Sequence, residues 1–161
     1  MRVRPASIDD AEAIRAIYNV EVLDSTVTFD LVPRSLEDQQ AWQSDRSGAH
    51  TVLVAVDGDE VVGFASLSPY KERPAYRTTV EDSVYVHRER QGRGIGSLLL
   101  GELVSTATSH GFHAVMARIV GGHDASIGLH ARFGFEVVGT EREVGRKFGR
   151  WLDVVVMQKL L

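Results

Sequence analysis

Gln91-Gly92-Arg93-Gly94-Ile95-Gly96-Ser97 is the stretch whose residue types and spacing point most directly to chemistry. It stands between a β-branched run, Val84-Tyr85-Val86, and an apolar run, Leu98-Leu99-Leu100, that continues at helical spacing. Glycine lets backbone approach a ligand because no Cβ stands in the way. The first N–H groups of a helix lack internal partners and lie at the positive end of its dipole. With Arg90 and Arg93 adding positive charge, the segment reads as a phosphate cradle. Read alone, it is equally a tight turn in which glycine serves geometry only. The spacing narrows the ligand. A dinucleotide fingerprint needs a different glycine spacing in an early βαβ unit, and a nucleotidase loop needs Gly-Lys-Ser/Thr; the chain has neither.

Two other side chains could move protons. Glu81 lies in a run that is otherwise largely apolar or hydroxyl-bearing. Desolvation there would lift its pKa towards the ~6–7 useful to a general base; the other reading is an edge-strand carboxylate facing water. His130 sits on a short helical run and can donate a proton near neutrality, or simply bond its neighbours. Lys71 and Arg73 could supply a cation for the acidic end of a small substrate, Arg73 with bidentate geometry. Phe29 and Tyr76 could wall the other end. The plainer readings are solvated loop charges and ordinary aromatic packing. His123 and Asp124 have no third ligand nearby, so no metal is expected. His50, His87, His110 and His113 form no constellation.

The elements that must position these residues follow from periodicity and punctuation. Residues 3–6 read as a strand. Ser7 caps a helix carrying Ala13, Ile14, Ile17 and Tyr18, a loop covers residues 24–33, and Ser35 caps a second helix over 36–46. Strands at 51–56 and 61–67 flank Asp57-Gly58-Asp59-Glu60, a hairpin turn. Residues 68–75 are irregular, 78–86 a strand, 97–110 a helix stopped by Gly111, 114–120 a strand, and 124–133 a helix ending at Gly134. Strands over 135–144 and 151–159 close the chain around a turn at 145–149. The order β-α-α-β-β-β-α-β-α-β-β predicts an α/β (α+β) layered domain, one unit over residues 1–161, with a mixed sheet and helices on its faces.

Gln91-Gly92-Arg93-Gly94-Ile95-Gly96 after such a strand resembles the coenzyme A loop of the GNAT superfamily of N-acetyltransferases. Four further blocks resemble the phosphinothricin and methionine sulfoximine acetyltransferase branch: Ser25-Thr26-Val27-Thr28-Phe29, Pro69-Tyr70-Lys71-Glu72-Arg73-Pro74-Ala75-Tyr76, Thr79-Val80-Glu81-Asp82-Ser83-Val84-Tyr85-Val86 and Lys147-Phe148-Gly149-Arg150-Trp151-Leu152-Asp153. The resemblance implies a mostly antiparallel sheet and acetyl-CoA as co-substrate. It implies a pyrophosphate held by Gln91, Gly92, Arg93, Gly94, Ile95, Gly96 and Ser97, and a pantetheine arm along Val84, Tyr85 and Val86, with the Val86 N–H facing the oxyanion. It also implies Glu81 as general base in a direct transfer, His130 in the place of the acid that meets the thiolate, and an acceptor held by Phe29, Lys71, Arg73, Tyr76, Asp82 and Ser83. His123 stands where family members carry an Asn that bonds the pantetheine amide.

Composition bounds the partners. A formal net charge of −4 argues against nucleic acid as a bulk partner. With no cysteine, disulfides, thiolate metal sites and thiol nucleophiles are excluded. Met1-Arg2-Val3-Arg4 opens a charged strand-like segment rather than a signal peptide, and no apolar run is long enough for a membrane span, so a cytoplasmic enzyme is expected. The branch resemblance implies a homodimer and a small amino acid analogue as acceptor. Acetylation of a protein N-terminus or a polyamine, and a coenzyme A-binding sensor without turnover, stand as the other readings.

Overall fold

The computed structural model describes residues 1–46 and 48–161. Its elements run β1 (Arg2–Pro5), α1 (Ala11–Asp24), α2 (Leu36–Asp45), β2 (Val52–Asp57), β3 (Glu60–Pro69), β4 (Thr79–Val86), α3 (Ile95–Ser109), β5 (Ala114–Val120), α4 (Asp124–Arg132), β6 (Glu136–Lys147) and β7 (Arg150–Leu160). The seven strands form one sheet in the order β1-β2-β3-β4-β5-β7-β6. Every neighbouring pair is antiparallel except β4 and β5. A mixed sheet is what the element order predicts, and its mostly antiparallel pairing is what the family resemblance implies.

Period-2 alternation with both faces covered explains the apolar strands at the centre. On β2, Leu53 and Ala55 join Leu99, Leu100, Leu103 and Ala107 of α3, whereas Val52, Val54 and Val56 join Ile14, Ile17, Tyr18 and Val22 of α1. The apolar residues of α1 recur at three- and four-residue spacing and so form one stripe. Leu99, Leu100 and Leu103 are fully buried, each worth about 1.5–3 kcal/mol of transfer free energy. Arg4 holds Asp10 through a two-bond ion pair, fixing β1 to the turn that opens α1. Ser35 caps α2 by accepting from the Asp38 N–H. None of the helices in the described residues is long and apolar enough to cross a membrane.

Three boundaries differ from expectation by two residues or more. β3 runs on to Pro69 and takes in Ser68, from the stretch expected to be irregular. Helix α3 begins at Ile95 rather than 97, because Gly94 takes the left-handed N-cap position at φ 80° and the helix starts at once. At the C-terminal hairpin, residues 145–147 belong to β6, and the turn shrinks to Phe148 and Gly149, with φ of 53° and 70°. Positive φ at both positions is what a two-residue hairpin loop requires. β6 absorbs its extra length in two bulges, one of them between Glu141 and Gly145.

Gly145 is where β6 meets the loop after α1. A Cβ there would lie within 2.9 Å of three carbons of the Phe29 ring. Gly145→Ala is therefore expected to cost about 1–3 kcal/mol by overpacking, read as a lower urea midpoint at unchanged m-value. An unchanged midpoint would show that Phe29 is free to move.

Candidate active site

The parting of β4 from β5 creates the site. The two strands pair at Thr79–Ala114, Val80–Val115 and Glu81–Met116, and no further. β4 then follows β3 to Val86, and β5 follows β7 to Val120. The His87 N–H donates to Val62 O on the β3 side at 2.9 Å. Alternation therefore turns the N–H groups of Val86 and Val84 towards the gap, while that of Asp82 serves the last rung with β5. A narrow slot of about 50 Å³ opens there, lined by residues including Val27, Val84, Ile119, Ser126 and His130.

The glycine loop closes one end of this gap. Gly92 and Gly94 have φ of 75° and 80°, and a Cβ on either would stand in open space. Among the described residues, the N–H groups of residues 92–97 donate to no protein acceptor, whereas Leu98 N–H already reaches Gly94 O. Six free donors at a helix N-terminus make a cradle suited to a pyrophosphate. Gly96 faces Leu129 and Val86, so a side chain there would press on the floor. Arg93 is exposed in the loop. Arg90 is not available to a phosphate: it pairs with Asp57 and Glu60 of the β2–β3 turn. The Gln91 side chain reaches Val86 O at 3.5 Å.

On the α1/α2 face of the sheet lies a cleft of about 430 Å³ that holds Glu81, Ser83, Phe29 and Tyr85. Glu81 is half-buried. Burial raises its pKa above the ordinary carboxylate value; Arg118, 4.0 Å away, opposes this, and Asp82 adds to it. Tyr85 points its ring into the cleft, stacked on Phe64 at 5.2 Å and edge-on to Tyr18 at 5.3 Å, so only its backbone faces the gap. Burial also raises the Tyr18 phenol to about 12 and pushes Tyr85 up.

On the opposite face, Asp82 meets His130 of α4. His130 Nε2 is 2.8 Å from Asp82 Oδ2, and Nδ1 is 2.8 Å from Ser126 O. A carboxylate and a carbonyl both accept, so each ring nitrogen is placed to donate, an arrangement that favours the imidazolium. Burial disfavours that charge, but the Asp82 hydrogen bond and charge, with the Ser126 carbonyl, outweigh it and raise the pKa.

The loop after α1 roofs the slot and is tied on three sides. Thr26 Oγ1 is 2.9 Å from His123 Nε2, the Tyr18 hydroxyl is 3.0 Å from Thr28 Oγ1, and buried Lys147 donates to Thr28 O at 2.9 Å. Burial lowers the Lys147 pKa. His123 thus spends its ring nitrogen on the loop. Lys71, Arg73 and Tyr76 lie elsewhere, in a pocket of about 230 Å³ that shares no residue with the Glu81 cleft. There Lys71 Nζ stands 5.0 and 5.3 Å over the Tyr70 and Tyr76 rings. Thr79 lines this pocket and Glu81 the cleft, so the two are neighbours along one face of β4. A larger cavity, about 560 Å³, sits at the β1 edge and shares only Arg46 with the cleft.

Sequence reasoning did not find Tyr18, Arg34, Trp42, Arg46, Ser66, Ser68 and Arg118, which also line the cleft. Two signals were there to read. Ser66 and Ser68 alternate with Phe64 on a strand otherwise built for burial, and Arg118 interrupts the apolar run of β5.

A parallel pair that parts after three rungs, a helix-capping cradle for phosphate and a half-buried carboxylate beside them define an acyl-transfer site. The chain belongs to the Acetyltransferase (GNAT) family, whose profile matches residues 14–135, and it is an N-acetyltransferase. It is 42% identical to the L-methionine sulfoximine/L-methionine sulfone acetyltransferase of Pseudomonas aeruginosa, over 97% of this chain and 92% of that protein. It superposes with a TM-score of 0.96 on a phosphinothricin acetyltransferase from Sinorhizobium meliloti solved in complex with acetyl-CoA, at 40% identity, covering 99% of this chain and 87% of that one. A structure titled ribosomal-protein-alanine N-acetyltransferase, from Brucella melitensis, matches at TM-score 0.98 and 40% identity over the whole of both chains.

The His130–Asp82 pair sets a pH dependence. Because the folded pKa of His130 is raised, its contribution to stability is complete below the ordinary value of ~6.5 and is lost as pH rises through the folded value. The stability gap between wild type and His130→Gln is expected to narrow as pH is raised from about 6 to 9, measured as urea midpoints at each pH. A gap that stays constant across that range would show that folding does not raise the His130 pKa.

Proposed function

We propose that the protein moves the acetyl group of acetyl-CoA to the α-amine of a small amino acid analogue of the phosphinothricin or methionine sulfoximine type, by direct transfer with Glu81 as general base. The observation that carries this reading is Glu81 itself. It is a half-buried carboxylate of raised pKa, on the last rung before β4 and β5 part. The names of the Pseudomonas aeruginosa and Sinorhizobium meliloti relatives support the acceptor class. The free N–H groups of residues 92–97 would hold the pyrophosphate, with Val84, Tyr85 and Val86 flanking the pantetheine. The amine gives its proton to Glu81, directly or through water, and attacks the thioester carbonyl. The Val86 N–H faces the oxyanion, a contact of a kind worth ~3–4 kcal/mol in a transition state. His130 stands in the place of the acid that meets the departing thiolate; both of its ring nitrogens are engaged, by Asp82 and by the Ser126 carbonyl, so one of those bonds must open for it to give its proton. Ser83 and Phe29 line the acceptor side, with Lys71, Arg73 and Tyr76 available to an acidic group that extends along β4 into the neighbouring pocket.

Glu81→Gln is expected to lower kcat by about 10²–10⁴ while leaving acetyl-CoA affinity nearly intact, read by thiol release and by calorimetry. Full retained activity would remove Glu81 from this role. The likeness to the Brucella melitensis ribosomal-protein-alanine N-acetyltransferase favours a second reading, acetylation of a protein N-terminal alanine. An acceptor panel that sets methionine sulfone against an alanine-starting peptide decides between them.

We further propose that the protein works as a cytoplasmic homodimer. The β6–β7 hairpin exposes Val137, Val138, Val144, Phe148 and Trp151 along its length, apolar residues that a second copy would cover. Light scattering is expected to give twice the 17.7 kDa chain mass, and Trp151→Glu to shift it towards one. A monomer for the wild type at micromolar concentration overturns the dimer.

A further inference from the structure

Arg46 lies at the end of α2 with its guanidinium half-buried in the Glu81 cleft. Its Nε donates to Ser68 Oγ at 3.2 Å and its Nη1 to Trp42 O at 3.3 Å, which leaves Nη2 without an acceptor among the described residues. It stands 4.2 Å over the Trp42 ring, and Arg34 stands 4.7 Å over the same ring. Arg34 is partly compensated by Gln39 at 3.0 Å and Asp30 at 4.0 Å. Arg46 makes no ion pair with a carboxylate among the described residues. Burial and the nearby Arg34 charge work against its protonated form, and the neighbouring Asp45 charge partly opposes them. Two guanidiniums gathered on one indole, one of them without a salt bridge, form a place for an anion.

The register says which anion. Ser68 is the direct cross-strand partner of Glu81. Directly opposed residues share a face and hold their Cβ atoms ~4.5–5.5 Å apart. The proposed base and the cation that grips Ser68 are therefore side by side. An α-amino acid carries its amine and its carboxylate on one carbon and needs a base and a cation as close neighbours. Other carboxylates of the cleft are already engaged: Asp82 with His130, and Asp30 with Tyr18.

We propose that Arg46, seconded by Arg34, anchors the α-carboxylate of the acceptor, so that the site takes free amino acids and discriminates against amines whose neighbouring carboxylate is blocked. This rests on the acetyl-transfer reading above and deepens it. A distal acidic or polar group of the same acceptor then points from Glu81 towards Thr79, and so to Lys71 and Arg73. The two cationic places serve the two ends of one molecule. A peptide N-terminus, with its first carbonyl in an amide bond, offers Arg46 no charge, and a polyamine offers it the wrong one.

The test is steady-state thiol release with methionine sulfone and with its α-carboxamide, on wild type, Arg46→Gln, Arg46→Lys and the double variant Lys71→Gln/Arg73→Gln. The carboxamide has a less basic amine, so the informative quantity is how each substitution changes the acid-to-amide ratio of kcat/KM. Wild type is expected to favour the acid. Arg46→Gln is expected to lose about 10- to 100-fold on the acid, mainly through KM, and less than about 3-fold on the amide, as befits a lost charge-assisted hydrogen bond. Arg46→Lys is expected to restore part of the ratio. A loss shared equally by both acceptors would mean that Arg46 only supports the fold, and a ratio that survives Arg46→Gln but collapses in the double variant would move the anchor to Lys71 and Arg73; either overturns the proposal. Equal turnover of acid and amide by wild type overturns the anchor alone. No turnover of either overturns the acetyl-transfer reading and the anchor with it.

Discussion

Everything at this site depends on a short parallel junction. Three rungs join β4 to β5, and on each side of them a much longer antiparallel ladder takes over, seven rungs from β4 to β3 and seven from β5 to β7. Each half of the sheet is better satisfied by its own neighbour than by the other half, so the two diverge. The divergence leaves the N–H groups of Val84 and Val86 facing a gap. Unpaired backbone groups are costly when buried, so such a gap persists only where water or a ligand can enter it. The same chain that fails to complete its sheet thereby offers a row of donors to an extended partner. The glycine loop, one turn further on, offers six more.

Polar interactions brace the gap from both sides rather than fill it. On the α3/α4 face the buried Asp82–His130 pair ties β4 to α4. On the α1/α2 face the loop after α1 is tied to α4 by His123, to α1 by Tyr18 and to β6 by Lys147. Removing one member of a buried charged pair leaves the other uncompensated, a penalty larger than the net worth of the pair. The braces are therefore worth more as geometry than as stability. They hold the walls of a narrow slot at the spacing its reacting groups need, and they draw residues from four separate elements into a single mechanical unit.

The fold was readable almost throughout because its signals are local. Ser35 at a cap, Gly111 and Gly134 after helices, Asp57-Gly58-Asp59-Glu60 at a hairpin and the alternation of β4 each act within a few residues of themselves. The misplaced boundaries of α3 and of the C-terminal hairpin have local causes as well: Gly94 caps the helix so that it starts at once with buried Ile95, and Phe148 takes a positive φ that a sequence reader would give to glycine. The candidate phosphate cradle was legible for the same reason, since it is one contiguous segment. The proposed acceptor end was not. Arg46 and Glu81 are brought together by the pairing of Ser68 with Glu81, and nothing near Arg46 in the sequence announces that register. Arg90 shows the reverse error. Its position in the loop suggests a phosphate ligand, yet Asp57 and Glu60, thirty or more residues earlier, claim it.

Strand β4 explains why so few residues can serve both ends of a reaction. Successive side chains leave a strand on opposite faces. Glu81, Ser83 and Tyr85 therefore enter the cleft under α1 and α2, while Asp82, Val84 and Val86 turn to α3 and α4, where Val84 and Val86 pack on the core and Asp82 meets His130. The backbone between them faces the gap. The proposed base and the proposed acid thus lie on opposite faces of one strand, with the reacting centre at its edge. A slip of one residue would exchange the two sets and put Asp82 in the cleft and Glu81 against α4. The Asp82–His130 pair and the stacking of Tyr85 on Phe64 oppose that slip from both faces at once, so the contacts that give the site its chemistry also fix the register on which the chemistry depends.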